Sequence, residues 1–388
     1  MAQQHLDPTD PTAEVTGDAL AAYLRAQATE FLRALRLHRE TGGAPAGGAE
    51  GSVDAARALR RSARRISGSL HTFRPLLDSD WSEEMRPELA WLSGTLGLEH
   101  AYEARLERLL LALHRLSGSA ALPAQPVGAV AVGPADAAVG SRTGTVRPRA
   151  LAADSAGGPA RPAPVPERGS LTVGAAKAGA LLERQLTLAR TRAHSTALQA
   201  LGSSRFHAVA DRVAVLASEV PLTPAAPTTG LRPLAAAAQE RLTDAVAALP
   251  LVTAGHPYNA EALVHGLSPD PSPHPQDGPW HQVRLLLRLH RYAREVLCAA
   301  AGASPLERSR EFPGAPVDVR LLAAAQALNR HRDASEAAAA AAQAARTPRI
   351  APATAYALGV LHADQRHEVE AARFAFQQAW RQQAVGAP

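Results

Sequence analysis

Two stretches of the chain decide the fold: residues 56–77 read ARALRRSARRISGSLHTFRPLL, and residues 280–297 read WHQVRLLLRLHRYAREVL. In both, apolar residues recur at the spacing of an α-helix, and neither stretch alternates between apolar and polar residues as a half-buried strand does. Arginine also recurs along one side of each predicted helix. The two stretches therefore predict amphipathic helices with a strongly basic face.

The basic residues of the two stretches share the same spacing. At about 100° per residue, the cations of the second stretch fall within a sector of about 80° of the helix surface. The matching rows are His281-x2-Arg284-x3-Arg288-x2-Arg291 and Arg57-x2-Arg60-x3-Arg64, with Arg61 and Arg65 widening the row of the first stretch.

A duplicated arginine row on a helix needs a physical reason. Like charges at i,i+4 destabilise a helix by a few tenths of a kcal/mol, roughly, for each pair. Arginine stays charged at physiological pH, and its planar group donates paired hydrogen bonds to phosphate. A solvated basic face is the plain alternative. Because the row occurs twice at identical spacing, we favour a site for a polyvalent anion.

The positive charge of the chain is local. No acidic residue lies between Asp54 and Asp78 or between Asp277 and Glu295, and these two windows hold ten arginines. The whole chain carries a formal charge of only +5. The rest of the molecule is therefore acidic on balance, and the two windows are where an anion would bind.

Composition excludes several kinds of chemistry. Lys177 is the only lysine among 41 basic residues, and Ala178 follows it, so the chain has no P-loop. Cys298 is the only cysteine, which excludes an internal disulfide and a cysteine-based zinc site and fits a reducing compartment. No stretch approaches the roughly 20 apolar residues of a membrane span. We expect a soluble, cytoplasmic protein.

Helix-forming residues and helical periodicity dominate the chain, which predicts an all-α fold of two helical bundles. Between Ser117 and Ser170 the composition changes to Ala, Gly, Pro, Val and Ser. That composition predicts a disordered insert, because so few large apolar residues cannot offset the entropy lost on ordering. The expected domains are an N-terminal half over residues 16–117, the insert over 118–170 and the remainder over 171–384.

The two quoted stretches resemble the internally repeated signature helices of the CHAD domain, the conserved histidine α-helical domain. Further segments agree in order along the chain: ELAWLSGTLG, LLERQLTLARTRAHSTALQAL, LNRHRDA and ALGVLHADQRHEVEAARFAFQQAW. The resemblance covers about residues 18–384 apart from the insert.

The resemblance implies two pseudo-symmetric antiparallel bundles whose basic helices line a shared central groove. It also implies binding of inorganic polyphosphate without catalysis, and association with polyphosphate granules. By position, His281, Arg284, Arg288 and Arg291 match the second signature, and Arg60, Arg64 and Arg65 match the first.

The chain departs from the family pattern at three places. Arg57 stands where the first signature has its histidine, and Ala101 completes a His-Ala pair where an Arg-Asp pair is usual. Leu285 occupies a position that is normally basic. These changes predict a groove that is less positive than is typical of the family.

Motifs for competing chemistry are missing. The sequence contains no G-x-S-x-G, no H-E-x-x-H and no E-x-E-x-K strand of a triphosphate tunnel enzyme. We therefore expect no catalytic residues, no metal site and no cofactor. Two other functions stay open, namely a basic helical protein associated with nucleic acid and a scaffold whose anion site has decayed. Few aromatic residues are available for base stacking, which counts against the first.

Overall fold

A computed structural model describes residues 16–41, 49–118, 168–251, 274–300 and 315–384, with short pieces between 253 and 267. Over these residues the chain is all-α, as the sequence predicts. The helices are α1 (Gly17–Thr41), α2 (Ala49–Thr72), α3 (Ser79–Leu116), α4 (Arg168–Leu201), α5 (Ser204–Ser218), α6 (Leu231–Ala247), α7 (Gly278–Ala300), α8 (Ala315–Ala345) and α9 (Pro352–Ala384).

The predicted insert lies almost wholly outside the described residues, since the description stops at Gly118 and resumes at Arg168. The domain boundaries stay a prediction for the same reason. Within the described ranges, none of the helices combines the length and the apolar character that crossing a membrane requires.

The start of α3 is set by a capping side chain. The helix begins at Ser79 because Asp78 is its N-cap, and the Asp78 carboxylate accepts a hydrogen bond of 2.9 Å from the Trp81 amide. Ser82 is fully buried, and its hydroxyl donates to the Ser79 carbonyl inside the first turn.

The described apolar residues form three clusters. The first joins α1, α2 and α5 to the N-terminal half of α3, the start of α6 and the C-terminal end of α7. The second joins α4 and the other half of α3 to facing parts of α8 and α9. The third joins α6, the start of α7 and the remaining ends of α8 and α9. Because α3, α7, α8 and α9 each contribute to two clusters, these long helices tie the cores together. Pseudo-symmetry between two bundles stays a prediction.

The two signature helices α2 and α7 meet at a glycine. A Cβ atom on Gly68 would lie 2.5 Å from Cδ2 of Tyr292 and 3.5 Å from Cδ2 of Leu289, so only glycine lets the helices approach this closely. The contact sits at the C-terminal side of both arginine rows. It fixes the two rows beside each other.

A buried ionic network attaches the start of α7 to α8 and α9. Asp277 is fully buried and accepts hydrogen bonds from Arg366 at 2.8 Å and from Arg373 at 2.7 Å. The hydroxyl of Ser335 donates to the same carboxylate. Burial raises the pKa of Asp277, but the hydrogen bonds and positive charges of its partners outweigh burial and hold the pKa well below its usual range. We call these residues, with His331, the Asp277 network.

Candidate anion-binding site

The arginine rows of α2 and α7 face a common cavity of about 260 Å³ that α8 closes. Tyr292, Glu295 and Asn329 form part of its wall. The cavity brings together six of the nine residues that the sequence singled out. These are Arg61, Arg64, Arg65, Arg284, Arg288 and Arg291.

Four half-buried arginines repel one another at this site: Arg60 and Arg64 on α2, and Arg284 and Arg288 on α7. We call them the central cluster. Burial, together with the positive charges of Arg60 and Arg288, lowers the pKa of Arg64 to about 9. Burial and the charges of Arg332 and Arg288 lower the pKa of Arg284 to about 10. Since guanidinium still keeps its proton at physiological pH, the cost appears as repulsion, which a bound anion would relieve.

Neutral groups hold the central cluster in place. Nε of Arg60 donates to the Ser93 carbonyl at 3.1 Å, and Nε of Arg284 donates to Oδ1 of Asn329 at 2.8 Å. Among the described residues, no Asp or Glu oxygen forms a salt bridge with any of the four guanidiniums. Their charge is therefore positioned but not neutralised.

Arg65 and Arg57 differ from the central cluster. Nε of Arg65 donates to Oε2 of Glu295 at 2.7 Å, and the Tyr23 hydroxyl donates to the same oxygen at 3.3 Å. Arg57 lies outside the cavity wall, and its half-exposed side chain pairs with Asp54 at 3.2 Å. One end of the predicted row is therefore solvated, and the other end is paired with a carboxylate.

His281 lies behind the cavity and packs against the Asp277 network. Its ring is 5.5 Å from the His331 ring in an edge-to-face arrangement. Burial lowers the pKa of His281 below that of an exposed histidine. The ring is therefore neutral at physiological pH and adds no positive charge to the arginine row.

The structure adds residues that sequence reasoning missed. Arg332 on α8 lies close enough to lower the pKa of both Arg60 and Arg284. With Arg60, Arg105 and Arg108 it lines a second cavity of about 230 Å³ between α2, α3 and α8. Arg332 stands between a histidine and an aspartate in the sequence, so local charge patterning gave no sign of it.

Gly97 makes room for Arg60 at the border of the second cavity. A Cβ atom at position 97 would lie 2.4 Å from Nη2 of Arg60. The guanidinium therefore rests directly on the backbone of α3, where Nε reaches the Ser93 carbonyl. Arg60 connects the two cavities, because it lines the second one and acts electrostatically on Arg64 in the first.

The described residues contain no group of three or more His, Cys, Asp or Glu side chains placed to hold a metal ion. The geometry defines an all-α protein with an arginine-lined cavity. The model of the CHAD domain family matches residues 22–312, and the chain belongs to this family.

One solved structure is similar over almost the whole chain. It is that of PptA from Streptomyces chartreusis, with 66% sequence identity and a TM-score of 0.69. The match covers 94% of this chain and 99% of that one. No curated protein matches.

Proposed function

We propose that the protein binds inorganic polyphosphate, without catalysis, through the arginines of α2 and α7. The observation that carries this proposal is the central cluster, in which four like charges converge from two helices without a carboxylate partner among the described residues. Holding such charges together raises the free energy of the empty site. An anion with several charges would lower it.

A linear phosphate polymer fits this arrangement better than a compact anion. The basic side chains follow the helix axes over two cavities, so one extended ligand can contact many of them in sequence. Arginine forks donate two hydrogen bonds to each phosphate group, and every contact releases condensed counterions. Membership of the CHAD family supports the same ligand class.

We propose binding and not hydrolysis because of the chemistry of the cavity wall. Guanidinium groups do not exchange protons at physiological pH, so they serve poorly as general acids or bases. The carboxylate in the wall of the first cavity, that of Glu295, is already engaged by Arg65 and Tyr23. The groups in the cavity can hold a phosphate chain, and none of them is poised to activate water.

The test replaces arginines in pairs. The variants Arg60→Gln with Arg64→Gln, and Arg284→Gln with Arg288→Gln, remove charge but keep helix-forming side chains. Each double variant should bind long polyphosphate more weakly by about tenfold or more for every arginine that no longer holds a phosphate group. The slope of log affinity against log salt should fall by about 1 for each such arginine. Unchanged affinity in both variants, with native helicity, would reject the proposal.

The matched control is Arg212→Gln on α5, whose guanidinium pairs with Glu84 at 3.1 Å away from both cavities. Competition between long polyphosphate and duplex DNA at fixed salt separates the remaining alternatives. Preference for polyphosphate supports the proposal. Preference for DNA favours the nucleic-acid function, and failure to bind either indicates a scaffold. Cofractionation with polyphosphate granules tests the expected location.

A further inference from the structure

The wall of the second cavity carries two carboxylates, those of Asp333 and Glu336, and Glu336 is the one that forms salt bridges with arginines there. Glu336 on α8 accepts a hydrogen bond from Nε of Arg332 at 2.7 Å on one carboxylate oxygen. Its other oxygen accepts from Nη2 of Arg105 on α3. Two guanidiniums from different helices thus converge on a single carboxylate, each on its own oxygen, which is the way arginines contact two oxygens of a phosphate group.

The two cavities follow each other along α2 and α8. Asn329 lines the first cavity and Arg332 lines the second, and these residues are one helical turn apart. Arg60 and Arg64 are related in the same way on α2. An extended anion that leaves the first cavity toward the N-terminus of α2 therefore passes Arg60 and reaches Glu336.

We propose that Glu336 is an internal competitor for the second cavity, so that only polyphosphate long enough to reach past the central cluster displaces it from Arg105 and Arg332. The inference rests on the proposed function and adds a basis for chain-length preference. A short anion binds at the central cluster, where no described carboxylate forms a salt bridge with an arginine. A long chain gains the second set of cations but must release Glu336 to do so.

Charge and exposure allow this exchange. About a third of the Glu336 side chain is exposed, so the displaced carboxylate can turn toward water without being buried alone. Arg105 is less exposed and its guanidinium lies 5.3 Å from the Tyr102 ring centre, so it stays in place when the carboxylate leaves. Nε of Arg108 is held by the Gln365 side chain at 2.6 Å, not by Glu336. Arg105 and Arg108 therefore keep contacts that do not depend on Glu336, and the carboxylate is the movable partner.

The test compares Glu336→Gln with Glu84→Gln, which removes the same charge from an exposed pair with Arg212 outside both cavities. Calorimetry with pyrophosphate should give one site per chain in the parent and in Glu84→Gln. Glu336→Gln should give two, because the second cavity then accepts a short anion. Affinity for long polyphosphate should rise about tenfold in Glu336→Gln only, as expected when a competing charge is removed from the path of the ligand.

A further variant keeps the inference testable if Glu336→Gln is unstable. Arg105→Gln should weaken binding of long polyphosphate and leave pyrophosphate binding unchanged. If the parent binds long polyphosphate but Glu336→Gln behaves like Glu84→Gln, only the competitor inference is wrong. If the parent binds neither ligand, the proposed function fails and the inference fails with it.

Discussion

The Asp277 network and the central cluster are both built on arginine side chains, but the arginines serve opposite purposes in the two regions. Arg366 and Arg373 are almost fully buried, yet each donates to Asp277, and the Glu370 carboxylate adds a further acceptor for Arg373. The arginines of the central cluster are less buried and contact only neutral groups or each other. Complete burial with a carboxylate partner holds helices together, whereas partial burial without one leaves charge available for a ligand.

The largest effect should come from disrupting the Asp277 network, where the arginines are paired with carboxylates. Asp277→Asn leaves Arg366 buried without this anion and Arg373 with Glu370 alone, and such a loss costs about 3–5 kcal/mol of unfolding free energy. Urea denaturation measures it. Asp54→Asn, which removes the exposed partner of Arg57, should change the unfolding free energy by less than about 1 kcal/mol. Equal effects of the two variants would mean that the Asp277 network does not hold α7, α8 and α9 together.

The second largest effect should be a loss of stability in acid, which also acts on the Asp277 network. Burial is the main reason that the pKa of His331 falls to about 4, and Nε of Arg373 donates to its Nε2, which must therefore lack a proton. The unfolded chain binds that proton near pH 6.5, so stability is present above about pH 6.5 and is lost as pH falls toward 4, by up to about 1.4 kcal/mol per pH unit. Thermal unfolding from pH 7.5 to 4 checks the slope.

The control for acid unfolding is His331→Gln. This variant should reduce the slope of unfolding free energy against pH by up to the contribution of one proton. His281 on the edge of the same network has its pKa lowered in the same direction, so His281→Gln should remove a smaller share. A slope that neither variant alters would assign the acid sensitivity to other groups.

Repositioning one arginine should have a smaller effect on the unpaired region. Gly97→Ala places a methyl group against Arg60 and should displace its guanidinium, which weakens long-polyphosphate binding several-fold. The helix itself should gain up to about 1 kcal/mol of stability from the replacement. Gly94→Ala is the matched control, because nothing lies within 4 Å of a Cβ atom there. It should stabilise α3 equally without changing affinity.

The smallest effect should come from Arg57→Gln. The sequence grouped Arg57 with the binding residues, but the structure pairs it with Asp54 and places it outside the wall of the first cavity. Its removal should leave both affinity and salt slope within error of the parent. A decrease comparable to that of Arg60→Gln with Arg64→Gln would show that the ligand extends along α2 beyond the cavity.

Helical periodicity predicted the class of fold, because it depends on residues close in sequence. It also predicted that Arg60 and Arg64 share a face of α2 and that Arg284 and Arg288 share a face of α7, since offsets along one helix follow from its geometry. Arg332 and the Asp277 network could not be found in this way. Their roles depend on contacts between α7, α8 and α9 that link residues far apart in the chain, and no local pattern encodes them.

The contact between Gly68 and Tyr292 sets how closely α2 and α7 approach each other beside the two arginine rows. A larger side chain at position 68 would force α2 and α7 apart and change the gap between the arginine rows without altering a single charge. Under the proposed function, a substitution at this position in a relative would change which phosphate polymer fits between the rows, although residue 68 does not line the cavity. In such a protein, the width of the binding site depends on the residue at the helix contact and not on the residues that contact the ligand.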